Sequence, residues 1–95
     1  MNIKIDHKLL AHLKEKNAEN ITISYKGIPS CKGLEFDPLV RPSLPKEEKI
    51  NDYSLYEAEG INIYLDKYIE VLKPEELYIY FSKVGMTENY FAQLS

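Results

Sequence analysis

The sequence predicts an α+β fold, a compact domain of short mixed strands with an N-terminal helix and a second short helix. Leucines recur at helical spacing near the N-terminus, at Leu9, Leu10 and Leu13. Several later segments instead alternate apolar and polar residues with a period of two, which is typical of half-buried strands. We therefore expect strands to predominate and the 95 residues to form a single domain, 1–95.

The first strand and the first helix are predicted at the N-terminus. The alternation Ile-Lys-Ile at residues 3–5 indicates a brief strand. Asp6 follows it and is suited to cap a helix over about residues 7–16, because its carboxylate accepts hydrogen bonds from free backbone N–H groups. Asn17 tolerates the left-handed backbone that commonly ends a helix.

A second strand and a proline-rich region come next. Residues 21–25 alternate Ile, Thr, Ile, Ser and Tyr, which predicts a half-buried strand that Gly27–Pro29 should end. Prolines at 29, 38, 42 and 45 disfavour any long helix or central strand, so only short strand pieces are expected around residues 34–40. The charged run 46–49 is expected to be a solvated loop.

A β-hairpin and a short helix are predicted in the second half. Tyr53 and Leu55 lead into a turn over residues 57–60, and Ile61, Ile63 and Leu65 alternate in the strand that follows it. Residues 66–72 form a short helix in this interpretation, with Tyr68, Ile69 and Leu72 available to the core, and Pro74 follows its end.

Two C-terminal strands complete the predicted order. In residues 77–81, Leu, Ile and Phe alternate with Tyr78 and Tyr80, so one face should be buried while the other presents two phenols to solvent or to a partner. Gly85 then permits a turn, and residues 90–94 are expected to form the last strand.

Charge and hydropathy exclude two classes of partner. The net charge of −3 and the pI of about 5.4 lack the basic footprint that a phosphate backbone requires, so we expect no nucleic acid partner. The longest apolar run, residues 77–81, is far shorter than the roughly 20 residues of a membrane span, so we expect no membrane partner. A charged N-terminus and a single cysteine predict a cytoplasmic protein.

Cys31 is the candidate metal-ligating and cofactor-binding residue. It lies between turn-forming glycines directly after a predicted strand, and the adjacent Lys32 favours the thiolate, the form that binds metals or attacks electrophiles. The alternative is a small loop side chain without chemistry. Because iron-sulfur clusters and structural zinc sites usually need about four ligands, one chain must recruit other residues, a small thiol or a second subunit.

Other chemistry is weakly supported by the residues. His7 and His12 are five residues apart and so point about 140° apart on a helix, which predicts two solvated residues and no chelating pair. The sequence has no nucleophile-elbow, dinucleotide-binding, phosphate-loop or zinc-protease motif. We therefore expect that the protein is not an enzyme and has no catalytic residue.

Two segments resemble motifs of one known family. Ser30–Gly33 is similar to a Gly-Cys-Ser-Gly motif after the second strand, and Glu59–Asp66 is similar to a segment of acidic residue, glycine and alternating strand ending in Asp. With the order of elements, this resembles the HesB/IscA-like iron-sulfur cluster biosynthesis family. The family's C-terminal Cys-Gly-Cys is absent from residues 86–95. A closer likeness is to small, degenerate HesB-like relatives, which share the Asn51–Tyr53 approach to the hairpin and the proline-containing stretch after the cysteine.

The resemblance implies a HesB-like fold and a role related to iron-sulfur cluster assembly. It implies iron or an iron-sulfur cluster as cofactor, with Cys31 as the one ligand that can be carried over, and therefore a homodimer or a protein partner. A second hypothesis is a metal-free protein interaction module that retains the fold and uses the Tyr78 and Tyr80 face or the hairpin as its contact surface. A third is a thiol-based redox sensor that uses Cys31 alone.

Overall fold

The computed structural model describes the backbone of residues 2–30 and 33–95 and the side chains of residues 2–25 and 38–95. The candidate ligand Cys31 therefore lies outside the described residues. The elements are strands β1 (Asn2–Ile5), β2 (Asn20–Ser30), β3 (Gly33–Arg41), β4 (Tyr53–Ala58), β5 (Ile61–Asp66), β6 (Glu76–Val84) and β7 (Thr87–Leu94), helices α1 (His7–Glu15) and α2 (Lys67–Val71), and a 3₁₀ helix (Glu47–Asp52).

The strands form two mixed sheets. One has the order β1-β6-β7, with β1 parallel and β7 antiparallel to β6. The other has the order β3-β2-β5-β4, in which β2 and β5 are parallel and the outer pairs are antiparallel. The edge strands of the two sheets approach each other, β7 beside β3 and β1 beside β4, so the inner faces enclose the core. The predicted α+β class with short mixed strands is confirmed.

Helix α1 and the alternating strands supply the core. The predicted face of Leu9, Leu10 and Leu13 is buried, and strand β5 alternates buried and half-buried residues along its whole length. Burial of this apolar surface is the main stabilising contribution to a domain of this size. The other buried apolar side chains are Ile5, Ile21, Ile23, Val40, Ile61, Ile63, Leu65, Ile69, Leu77 and Ile79.

The ends of α1 follow the prediction only in part. Asp6 precedes the helix in extended backbone, but its side chain does not cap an α1 N–H group, so the predicted cap is wrong. The carboxylate Oδ1 instead accepts a hydrogen bond from the Tyr78 hydroxyl of β6 at 3.4 Å. Asn17 has a positive φ of 54°, as predicted for the end of the helix. Within the described residues, no helix is long and apolar enough to cross a membrane.

The β2–β3 hairpin is longer than the prolines predicted. Strand β2 continues through Pro29 to Ser30, and β3 is continuous across Pro38, so the predicted strand end at Gly27–Pro29 and the separate strand pieces are wrong. Past Ile23, β2 pairs with β3 but no longer with β5, and β3 is itself an edge strand. A proline that lacks an N–H is tolerated where one side of a strand carries no neighbour.

Helix α2 buries less than predicted. Ile69 is fully buried, but Tyr68 is 73% exposed and Leu72 is 56% exposed, so the prediction that these two reach the core is wrong. The helix has five residues, which is little more than one turn, and only one side of it can face the sheet. Asp66 caps it, because the carboxylate Oδ1 accepts from the Tyr68 backbone N–H at 3.0 Å.

The connections confirm two glycine turns and correct one loop. Gly60 and Gly85 both have positive φ, 79° and 62°, at the β4–β5 and β6–β7 turns. The run 46–49 is exposed as expected, but it enters a 3₁₀ helix in place of the predicted loop. The Lys49 N–H donates to the Lys46 carbonyl at 2.9 Å, which closes the first three-residue turn of that helix.

Candidate functional site

The chain segment that carries Cys31 joins the two strands of the long hairpin. Ser30 is the last residue of β2 and Gly33 is the first of β3, and their Cα positions are paired in the antiparallel register. Because β2 leaves β5 after Ile23, this end of the hairpin extends about 23 Å beyond the last β2–β5 pair, at ~3.3 Å per residue. Cys31 therefore follows a part of β2 that pairs with β3 and no longer with β5.

The described side chains do not assemble a metal site. Among them, no group of three or more His, Asp or Glu residues is placed to hold a metal ion. The full sequence has one cysteine. Any metal bound through Cys31 therefore needs ligands that the described part of one chain does not bring together.

His12 lies in a side-chain cluster that the sequence analysis missed. The prediction that it is a solvated helix residue is wrong, because its side chain is only 12% exposed and its ring stacks on Phe81 at a centroid distance of 4.7 Å. Its Nε2 lies 3.1 Å from Oε2 of Glu88 and 3.2 Å from the Tyr90 hydroxyl. These contacts attach α1 to the inner face of the β6–β7 hairpin.

Glu88 is the centre of this cluster. Its Oε2 accepts from Nζ of Lys16 at 2.7 Å and from the Tyr90 hydroxyl at 3.1 Å. The Lys16 bond, the Tyr90 bond and the nearby His12 together lower the pKa of Glu88 to about 2. Burial of the phenol and its bond to the carboxylate raise the pKa of Tyr90. The cluster has no open ligand position on Oε2, so we interpret it as a tether between α1 and β7.

Glu88→Gln is expected to weaken the acid dependence of stability. Since folding lowers the pKa of Glu88 from 4.5 to about 2, its carboxylate stabilises the fold above pH 4.5, and this contribution is lost as the pH falls towards about 2. The melting temperature of the Gln variant should be lower than that of the wild type at pH 6. The two melting temperatures should then converge as the pH is lowered through this window.

Thermal unfolding between pH 6 and pH 2.5 measures this difference, and Glu57→Gln is the matched control. Glu57 is an exposed β4 residue, and the described side chains give it no ion pair. A pH-independent gap between wild type and the Glu88 variant would contradict a role of the ionised carboxylate.

An aromatic ladder covers the outer face of the three-stranded sheet. Tyr78 and Tyr80 lie opposite the buried Leu77 and Ile79, as predicted, and both are half-buried. The ring centroids of Tyr78 and Tyr80 are 5.5 Å apart, and that of Phe91 on β7 lies 5.3 Å from Tyr80. Desolvation and the neighbouring Asp6 raise the pKa of Tyr78. The predicted phenol face therefore exists and includes Phe91, which is 41% exposed.

Comparison with family models gives one match that covers almost the whole chain. The model of a family described as the CC/Se motif containing family matches residues 1–94. This chain belongs to the CC/Se motif containing family. The chain has one cysteine, Cys31, which is followed by Lys32, so it contains no pair of adjacent cysteines. No curated protein matches the sequence.

Two solved structures share the fold of this CC/Se family member. Escherichia coli SufA, described as involved in the biosynthesis of iron-sulfur clusters, superimposes with a TM-score of 0.60 at 13% identity, over 97% of this chain and 79% of SufA. IscA with a [2Fe-2S] cluster superimposes with a TM-score of 0.54 at 13% identity, over 97% of this chain and 84% of IscA. The predicted resemblance to the HesB/IscA-like fold is confirmed.

Proposed function

We propose that this CC/Se family member has a role related to iron-sulfur cluster assembly and binds iron or a cluster through Cys31 in a dimer. The observation that carries the proposal is the fold shared with SufA and IscA over 97% of the chain. The IscA structure contains a [2Fe-2S] cluster, which makes this fold a known carrier of such a group. The proposed role is one of binding and transfer in the cytoplasm, and no catalytic residue is assigned.

The number of ligands that an iron-sulfur cluster needs is larger than one chain supplies. One chain supplies a single thiolate, which does not fit an iron-sulfur cluster on its own, since such clusters are usually held by about four ligands. Two chains would supply two Cys31 thiolates, and small thiols would supply the others. The position of Cys31 supports this arrangement, because it follows a part of β2 that has left β5 and pairs only with β3.

Anaerobic reconstitution with iron, sulfide and a small thiol tests the role of Cys31. The wild type is expected to develop visible absorption and to retain iron after desalting, whereas Cys31→Ser should lose at least about nine-tenths of both, because a hydroxyl is a poor ligand for iron of this kind. Ser30→Ala is the matched control, since it alters the same hairpin but keeps the thiol. Equal iron retention by Cys31→Ser would refute the proposed ligand.

The second candidate function is a metal-free protein interaction module. The observation that favours it is the ladder of Tyr78, Tyr80 and Phe91, since aromatic side chains are enriched at protein interfaces. The reconstitution experiment separates the two functions. A wild-type protein that stays colourless, retains no iron and melts cooperatively would support the interaction module and contradict cluster binding.

A further inference from the structure

A cavity lies on the outer face of the four-stranded sheet. The strands β3 and β4 are at opposite edges of this sheet, so the segment 42–52 that joins them must cross over its outer face. Between the segment and the sheet is a cavity of about 440 Å³, lined by residues of both. This volume is within the range of small-molecule sites in proteins, roughly 300–1,000 Å³.

The crossing segment is bonded to the sheet near its start, and β2 is bonded to β4 at the point where the segment ends. The hydroxyl of Thr22, a residue only 3% exposed, donates to the Ser43 carbonyl at 2.6 Å. The hydroxyls of Ser24 and Tyr53 are 2.7 Å apart and share a second hydrogen bond. The Thr22–Ser43 bond therefore holds the start of the segment over the sheet.

Three cations line the cavity. Arg41 extends from the outer face of β3, opposite Thr22 in the register, and Lys46 and Lys49 belong to the crossing segment. No ion pair or hydrogen bond to another described side chain engages any of the three. Three cations against two carboxylates leave this lining with a formal charge of +1 in a protein of net charge −3, which favours an anion.

Two carboxylates, Asp52 and Asp66, also line the cavity and offset part of this charge. Asp66 is held by the protein, because Oδ2 accepts from the Tyr25 backbone N–H at 2.9 Å and Oδ1 accepts from that of Tyr68. Asp52 has no hydrogen-bond partner among the described side chains, so it is available to accept from a ligand hydroxyl. The lining therefore combines cations for an anionic group with one acceptor for a neutral polar group.

An aromatic wall bounds another part of the same cavity. The rings of Tyr25 and Tyr68 are 5.9 Å apart and tilted by 39°, and Tyr68 is 73% exposed. Helix α2 is fixed in two ways: Ile69 is buried in the core, and the Tyr56 hydroxyl donates to the Glu70 carboxylate. These contacts determine the position of Tyr68 on the same helix. Tyr25 and Tyr68 line the same cavity as Arg41, Lys46 and Lys49.

We propose that this cavity binds a nucleoside phosphate, with the phosphate held by Arg41, Lys46 and Lys49 and the planar base packed against Tyr25 and Tyr68. Phosphate groups match both the multiple charge and the planar fork of a guanidinium, which binds two oxygens at once. A planar ring packs against phenol faces with little loss of conformational entropy. The sugar hydroxyls would be donors for Asp52. This site is independent of Cys31.

Binding of three probes tests the proposal by calorimetry at low salt. ADP is expected to bind saturably, whereas adenosine and pyrophosphate, which each contain half of the recognised chemistry, should bind at least roughly ten-fold more weakly. Amide chemical shifts should change at the crossing segment and at Tyr68. Absence of saturation by ADP in the millimolar range, or equal affinity for pyrophosphate and ADP, would overturn the proposal.

Two variants and two controls assign the contacts. Arg41→Ala should weaken ADP binding about ten-fold or more, and Tyr68→Ala should weaken ADP but not pyrophosphate. Lys83→Ala removes the same charge from an exposed β6 residue outside the cavity and should change affinity less than about two-fold. An equal loss of ADP affinity in Arg41→Ala and Lys83→Ala would show that ADP is attracted only by the overall charge of the protein, and this would refute the site. Cys31→Ser should bind ADP like the wild type, so failure of cluster binding and failure of this site are distinguishable.

Discussion

Leu13→Ala is expected to lower the free energy of unfolding by about 2–5 kcal/mol. Leu13 is 0% exposed and lies with Leu9 on the face of α1 that packs into the core next to β6. Truncation removes the transfer free energy of its side chain and leaves a cavity, because α1 is tethered through His12 to Glu88 and Tyr90 and relaxes only partly. In a domain of 95 residues, such a loss is a large part of the total stability.

Equilibrium unfolding in urea measures this loss, with Lys14→Ala as the control on the same helix. Lys14 is exposed, and its replacement should change the free energy of unfolding by less than about 0.5 kcal/mol. A Leu13 variant as stable as the Lys14 variant would show that this face of α1 is in solvent. A reduced midpoint with an unchanged urea dependence would confirm that only stability has changed.

Local patterns were sufficient to predict the elements that depend on neighbouring residues. The leucine face of α1 follows from spacing within one helix, and the turns at Gly60 and Gly85 follow from the left-handed backbone that glycine allows. The alternation around Tyr78 and Tyr80 likewise predicted which side of β6 is buried. The fold class was predicted because these local patterns agree with the two sheets that form.

Features that depend on distant parts of the chain could not be predicted from the sequence. His12 and Glu88 are 76 residues apart, and nothing near either residue indicates that they meet. The end of β2 was misplaced because the cost of Pro29 depends on whether β5 lies beside it, which is a property of the sheet. Similarly, Arg41 and Lys49 line one cavity because the chain crosses the sheet between β3 and β4. This crossing depends on the strand order, which puts β3 and β4 at opposite edges.

Loading with an iron-sulfur cluster is expected to produce a species of two chains for each cluster. Each chain of 11.1 kDa contributes one thiolate, so a loaded species should have twice that protein mass and contain no more than one cluster. Native mass spectrometry under anaerobic conditions measures both quantities in one spectrum. A loaded single chain, or one complete cluster per chain, would contradict the proposal of a shared cluster.

Mixing the wild type with Cys31→Ser tests whether both thiolates are required. If a cluster needs Cys31 from each of two chains and the chains pair at random, an equal mixture should form loaded pairs at roughly a quarter of the wild-type level, because only pairs of two wild-type chains qualify. A single sufficient thiolate would instead load roughly three quarters of the pairs. Removal of iron with a chelator should then abolish the species with two chains and one cluster, because the cluster itself is lost.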